Sequence, residues 1–304
     1  MIFIKIIAVI LILYVIFCLG PGITAYIITF CSNNKVPNLQ NNPVEHFYRG
    51  YEERYEEKLN KWHKDCTRVS VMAKDNRELY ADYYRKGENK LAILMHGYRT
   101  DPYVNFAGLG SILWDLGYDL LVVYERGHFP SKGSTSMGLL EREDLIIWTE
   151  YCKKEYNPSR LIVGGVSMGA AVTAYASDRL KGVSALILDC AFLSPYNQLS
   201  GECRQRHIPP VMIMPIVRLC GLIHLKKDMK EPVTSHLAQT EVPVFVTHGI
   251  EDMTVPVSVS DEIYESVKVG RKLVKAENAG HACAFIVDYD NLEKELGGFL
   301  NEFI

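Results

Sequence analysis

Leu161-Ile162-Val163-Gly164 is a short apolar run of the kind that forms a buried parallel strand, and it passes without a break into Gly165-Val166-Ser167-Met168-Gly169. Helical spacing of apolar residues follows over Met168–Leu180. A strand, a turn with glycine at each end and a helix leave few folds open. The glycines permit a backbone turn too tight for larger side chains, so the Ser167 hydroxyl projects from the carboxyl edge of a sheet. The first N–H groups of the helix then stand near that oxygen. The same five residues occur by chance in ordinary turns, and only the strand before and the helix after give them meaning.

The pattern around this unit repeats its logic. Leu91–Met95, Asp119–Tyr124, Ala185–Leu188 and Val244–Thr247 are further short apolar runs, and Lys272–Lys275 reads as a last strand. Arg68–Ala73 and Leu79–Arg85 alternate like the arms of a hairpin. Helical patterns lie at Tyr103–Leu116 and Leu139–Tyr156, with Tyr289–Phe303 as a closing helix. The order is that of one α/β domain over residues 66–304, with a mostly parallel sheet covered by helices on both faces and no internal repeat. The connection Ala191–Glu241 breaks the rhythm with an apolar stretch, Ile208-Pro209-Pro210-Val211-Met212-Ile213-Met214-Pro215, and the basic-apolar Leu222–Lys230. It reads either as a small cap over a site or as a crossover helix packed on the sheet.

Ahead of the domain, 25 of the first 31 residues are hydrophobic and Lys5 is the only charge. About 20 residues cross the hydrocarbon core of a bilayer, so residues 1–31 suffice for a membrane anchor. Gly20-Pro21-Gly22 interrupts the run and is expected to kink it or end its first part. A cleaved signal peptide is the rival reading, but no A-x-A-like site follows. Lys5 before the span and Lys35 beyond it nearly balance the positive-inside bias, and the reading leans to a single-pass protein with an outward-facing domain. Residues 32–65 then supply an Asn-, Ser- and Pro-rich linker (32–43) and an amphipathic helix carrying Tyr51, Tyr55, Leu59 and Trp62, with Glu57–Lys61 as an i,i+4 pair.

Composition narrows the classes. A net charge of −3 in 304 residues gives no electrostatic case for a nucleic-acid partner. The eight cysteines are scattered and form no C-x-x-C pair, which excludes a disulfide scaffold and a structural zinc site.

A serine hydroxyl is a poor nucleophile without a base. His281 lies in Asn278-Ala279-Gly280-His281-Ala282, after the last strand, and Asp252 lies in His248-Gly249-Ile250-Glu251-Asp252, past Val244–Thr247. The order Ser167, Asp252, His281 suits this fold, with Glu251 an adjacent competitor that spacing does not exclude. Backbone N–H groups of Met168 and of Tyr98, in the loop His96-Gly97-Tyr98, are the candidates for stabilising an oxyanion. His96 reads as a structural, hydrogen-bonded histidine, and His248 as shaping a strand end.

Together these residues resemble the α/β-hydrolase superfamily over 66–304. More narrowly, the chain is similar to bacterial α/β hydrolases with one amino-terminal membrane span and an esterase-like or prolyl-oligopeptidase-like domain. Tyr124-Glu125-Arg126-Gly127-His128, Met137-Gly138 leading to Glu141 and Asp144, Leu188-Asp189-Cys190-Ala191-Phe192 and His248 to Pro256 also match that group. Glu125 departs from its more frequent Asp, and Phe129-Pro130 from a small residue. The resemblance implies a Ser167 nucleophile, a His281 base and an Asp252 orienting acid. Cys283, beside His281, has no assigned catalytic role and reads as a buried or spectator thiol. The expectation is a membrane-tethered serine hydrolase that cleaves a small-molecule acyl ester and requires no metal or organic cofactor. Met212, Ile213 and Met214 hint at an apolar acyl chain. Peptide cleavage or acyl transfer by the same triad, a silent binding module and a membrane scaffold remain as alternatives.

Overall fold

The computed structural model describes residues 2–31 and 48–304, so the expected linker at 32–43 lies outside the described residues. Eight strands form one sheet: β1 (Thr67–Met72), β2 (Glu78–Tyr84), β3 (Lys90–Met95), β4 (Tyr118–Tyr124), β5 (Arg160–Val166), β6 (Ala185–Asp189), β7 (Val244–Gly249) and β8 (Arg271–Ala276). Their spatial order is β1-β2-β4-β3-β5-β6-β7-β8. β1 pairs antiparallel with β2, and β2 antiparallel with β4; every other pair is parallel.

Successive side chains of a strand point to opposite faces, and this sheet buries both. On β3, Leu91, Ile93 and Met95 join one core with Leu121, Val163 and Leu188, while Ala92 and Leu94 join a second with Leu120, Ile162 and Ile187. The first core is closed by α4 (Glu141–Tyr156) and α5 (Met168–Ala176), the second by α3 (Pro102–Asp115) and α11 (Tyr289–Phe303). Each start follows from local chemistry where a cap is present. Asp101 accepts a hydrogen bond from Tyr103 N at 2.8 Å, and Pro102 fills the first helical turn of α3. α4 ends on Asn157 in the left-handed region, φ 43°.

Before the domain, α2 (Glu52–Trp62) lies on α3, with the Trp62 ring against Gly110 and its Nε1 donating to Ala107 O at 3.4 Å. The expected Glu57–Lys61 pair does not form. Lys61 instead reaches Asp115 at the end of α3, and Glu57 meets Lys58 at 3.1 Å, because docking α2 on the domain offers Lys61 a carboxylate closer than its own helix does.

The amino-terminal helix α1 (Ile2–Tyr26) runs through Pro21 without ending, and its last turn continues as a wider π-helical turn, Ile27–Cys31. It is long and apolar enough to cross a membrane. The insertion between β6 and β7 folds as α6 (Pro195–Gln205), α7 (Pro210–His224) and the short α8 (Thr234–Leu237). Cys18, Gly22, Tyr26 and Phe30, four residues apart, are the buried stripe of the amino-terminal segment. α7 is the principal neighbour of α1. The short helices α9 (Ser258–Ser266) and α10 (Ala284–Val287) complete the fold.

The closest backbone approach occurs where α5 crosses the ends of β3 and β5. A Cβ on Gly169 would stand 1.8 Å from Met95 O, whereas one on Gly298, in α11, would meet nothing within 4 Å. Gly169→Val is therefore expected to cost about 3 kcal/mol or more in urea unfolding, and Gly298→Ala to gain about 0.5–1 kcal/mol.

Candidate active site

Ser167 sits between β5 and α5 with φ 53° and ψ −110°, a left-handed conformation that costs a non-glycine residue about 1–3 kcal/mol. Three close contacts hold it there. A Cβ on Gly165 would lie 2.3 Å from the Gly169 carbonyl, so both glycines are required by space. Ser167 N donates to Asp189 O at 2.8 Å, and Ser167 O accepts from Ala171 N at 3.0 Å to open the helix.

His281 Nε2 lies 2.9 Å from Ser167 Oγ, and its Nδ1 lies 2.7 Å from Asp252 Oδ2. The two loops that carry these residues are laced together. Glu251 N donates to Ala279 O at 2.9 Å, and the backbone at Gly249 comes so near Ala279 and Gly280 that a Cβ would lie 2.3 Å from Ala279 O. Glu251, the sequence-level competitor, is exposed, and Asp252 is the carboxylate that meets His281.

Asp252 uses both oxygens fully. Oδ1 accepts from Thr254 N at 2.7 Å and Val255 N at 2.8 Å; Oδ2 accepts from His281 and from His248 Nε2 at 3.0 Å. Burial pushes the carboxyl up, but the bonds from His248 and His281 outweigh it and hold Asp252 well below the usual carboxylate range. His248 Nε2 faces two acceptors, Asp252 Oδ2 and Val255 O, each at 3.0 Å, so that nitrogen carries the proton. Sequence reasoning gave His248 only a strand-end role. Its place at Asp252 minus four, on the last residues of β7, was the signal available.

The loop after β3 is fixed by three side chains. His96 Nε2 accepts from Glu125 N at 3.2 Å, so Nδ1 donates to Gly97 O at 2.7 Å. His128 Nε2 accepts from Arg99 N at 2.9 Å, and Asn105 Oδ1 accepts from Gly97 N at 2.8 Å. Burial pushes His96 well below the usual imidazole range and His128 down to about 4, so both are neutral. The loop runs beside the serine: a Cβ on Gly97 would be 3.7 Å from Ser167 Cβ. Met168 opens α5, and the N–H of a first helical residue has no acceptor within its own helix.

Ser167, His281, Gly97 and Tyr98 line a cavity of about 150 Å³, which Gln198 and Glu202 of α6 also enter. α6 was not read from the sequence, although Ser194-Pro195 is a recognisable helix start and the Ser194 hydroxyl caps Asn197 N at 3.1 Å. Ile213 and Met214 line an adjoining cavity, whereas Met212, grouped with them from the sequence, is 40% exposed. Cys190, Asp252 and His281 place possible ligand atoms within 4.8 Å of one another. Asp252 and His281 are already hydrogen-bonded, and burial pushes the Cys190 thiol far up, away from the thiolate that binds metals. Cys283 donates to His281 O at 3.0 Å, and burial pushes its thiol up to about 12.

No family model matches the chain. The Bacillus subtilis (strain 168) uncharacterized protein YqkD is 30% identical over 220 residues, which cover 69% of this chain and 70% of that protein. Among solved structures, the Pyrococcus furiosus esterase Pf2001 aligns with TM-score 0.65 and 20% identity, covering 81% of this chain and 93% of Pf2001. The alpha/beta hydrolase GrgF from Penicillium sp. sh18 aligns with TM-score 0.62 and 15% identity, over 79% of this chain and 99% of GrgF. The chain belongs to the same family as YqkD, and its fold is the α/β-hydrolase fold.

Two buried acids flank the site. Neither oxygen of Glu125 has a hydrogen-bond partner among the described residues, and burial, with Glu141 and Asp144 nearby, pushes its carboxyl far up. Burial pushes Asp189, whose carbonyl holds Ser167, from the ordinary 3.8 to about 7. An acid whose folded-state pKa is raised favours folding fully below its unfolded value, and that contribution is lost as pH rises through about 7. Asp189→Asn stays neutral throughout, so the Tm of the variant minus that of wild type should rise between pH 4 and pH 8. A difference that stays flat across that range contradicts a neutral Asp189.

Proposed function

We propose that the chain is a serine hydrolase that cleaves carboxylic esters through an acyl-enzyme on Ser167. The observation that carries this reading is the continuous line Ser167 Oγ–His281–Asp252, with contacts of 2.9 and 2.7 Å, opening on a cavity. Its likeness to an esterase fold is consistent with the same chemistry.

In this mechanism Ser167 Oγ attacks the acyl carbon while His281 Nε2 takes its proton. Asp252 holds the Nδ1–H tautomer and stabilises the imidazolium, and His248 steadies the far side of that carboxylate. The oxyanion is received by the backbone N–H groups of Tyr98 and Met168, each such donor contributing about 2.7–4 kcal/mol to lowering the barrier. His281 returns the proton to the departing alcohol. Water then adds its hydroxyl to the acyl carbon, its proton passes through His281 to Ser167, and the acid leaves. α1 tethers this hydrolase to a membrane.

The test is turnover of 4-nitrophenyl butyrate by the full-length chain. Ser167→Ala is expected to abolish it, and Asp252→Asn to lower kcat roughly 10⁴-fold. Glu251→Gln should stay within about twofold of wild type, as expected for a surface substitution. Equal activity of wild type and Ser167→Ala, or a Glu251→Gln loss as large as that of Asp252→Asn, overturns the assignment.

A further inference from the structure

The contact between α1 and α7 fixes how deep the domain sits. It begins at Tyr14, whose hydroxyl donates to Val211 O at 2.8 Å, and continues through Gly22 against Ile216 to Tyr26, 2.8 Å from His224 Nδ1. The two helices therefore run side by side in the same direction. The contact covers residues 14–26 of Ile2–Cys31, a segment long and apolar enough to cross a membrane. A bilayer that this segment crosses then holds the first half of α7 at the same depth.

The composition of α7 fits that depth. Val211, Leu219 and Ile223 are 68%, 54% and 69% exposed to solvent although all are large and apolar. Arg218 is the helix's single Arg, Lys, Asp or Glu, and it is held by Asp228 at 2.6 Å; Lys226 and Lys227 come just beyond the helix end. An apolar face followed by lysines suits the boundary between acyl chains and headgroups.

Between the two helices lies a cavity of about 330 Å³, walled by Ala25 and Ile28 of the amino-terminal segment and by Ile213 and Val217 of α7. Tyr98 and Met137 line both this cavity and the one at Ser167. The serine cavity alone is smaller than a usual small-molecule site of about 300–1,000 Å³, and the adjoining one brings it into that range. Ala25 and Ile28 belong to the same apolar segment, so this cavity borders the bilayer that the segment crosses.

Resting on the esterase reading above, we propose that α7 is embedded in the bilayer beside α1, and that the cavity between them passes a membrane-resident, long-chain acyl ester to Ser167. The bilayer, rather than a second protein, covers the apolar face of α7, because the face is continuous with the span itself.

The test uses the full-length chain in phosphatidylcholine vesicles. Val211→Trp and Ile223→Trp should each gain fluorescence over wild type, and dibrominated phosphatidylcholine should quench at least half of that gain. In the same vesicles, 4-methylumbelliferyl oleate should have a kcat/KM at least tenfold above that of soluble 4-nitrophenyl acetate. Val217→Trp, which fills the cavity, should cut that ratio at least tenfold. Added tryptophans that bromolipid leaves unquenched place another occupant, such as a second copy of the chain, on α7 and overturn the proposal. Turnover of the acetate ester without preference for the oleate overturns it and leaves the esterase reading standing. Turnover of neither ester defeats the esterase reading and this substrate together, while the quenching still reports where α7 lies.

Discussion

The first turn of α5 lies against the carboxyl ends of β3 and β5 with no room for a side chain, and the arrangement of the site depends on that approach. Gly165 and Gly169 let the helix backbone reach the Met95 carbonyl, which forces the intervening Ser167 into a left-handed conformation and aims its hydroxyl away from both cores. The parallel pairing of β3 with β5, Leu91 opposite Leu161 through Met95 opposite Gly165, sets the loop of Gly97 beside the serine. Pairing of β5 with β6 in turn brings Asp189 O to Ser167 N. A methyl group at Gly169 would collide with the end of β3, at the carbonyls of Met95 and His96.

Around this point the histidines divide the electrostatic work. His96 and His128 are neutral, buried and spent on backbone groups of the loop after β3. His248 is spent on Asp252. His281 alone of these four lines the cavity, and it does so with Nε2 towards Ser167. The acids divide likewise. Asp252 keeps its charge because four donors surround it, whereas Asp189 and Glu125 are buried without such partners and favour the protonated form. Asp252 is thereby shared by two imidazoles, of which only His281 lines the cavity.

Short buried strands and the residues directly after them were legible in the sequence because parallel strands are apolar on both faces and end in sharply defined loops. Ser167 and Asp252 each follow such a run, His281 follows the half-buried edge strand β8, and the structure brings the three together. What could not be read depends on contacts between distant segments. Pro21 does not end the first helix, because the seat on α7 holds the chain on either side of it. Lys61 left its helical neighbour for Asp115, a choice set by docking. Gln198 and Glu202 enter the serine cavity only because α6 folds over it, and α6 lacks the long apolar face that marks a helix in sequence.

The amino-terminal segment and the site are joined physically as well as in sequence. Tyr98, whose backbone is proposed to receive the oxyanion, donates its hydroxyl to Thr29 O at 3.0 Å, and Arg99 reaches Ile28 O. Mapping a fluorophosphonate adduct by tandem mass spectrometry tests whether Ser167 is the nucleophile. One adduct per chain is expected, on the peptide containing Ser167 and absent from Ser167→Ala. An adduct on another residue, or none where a control esterase is fully labelled, would contradict it.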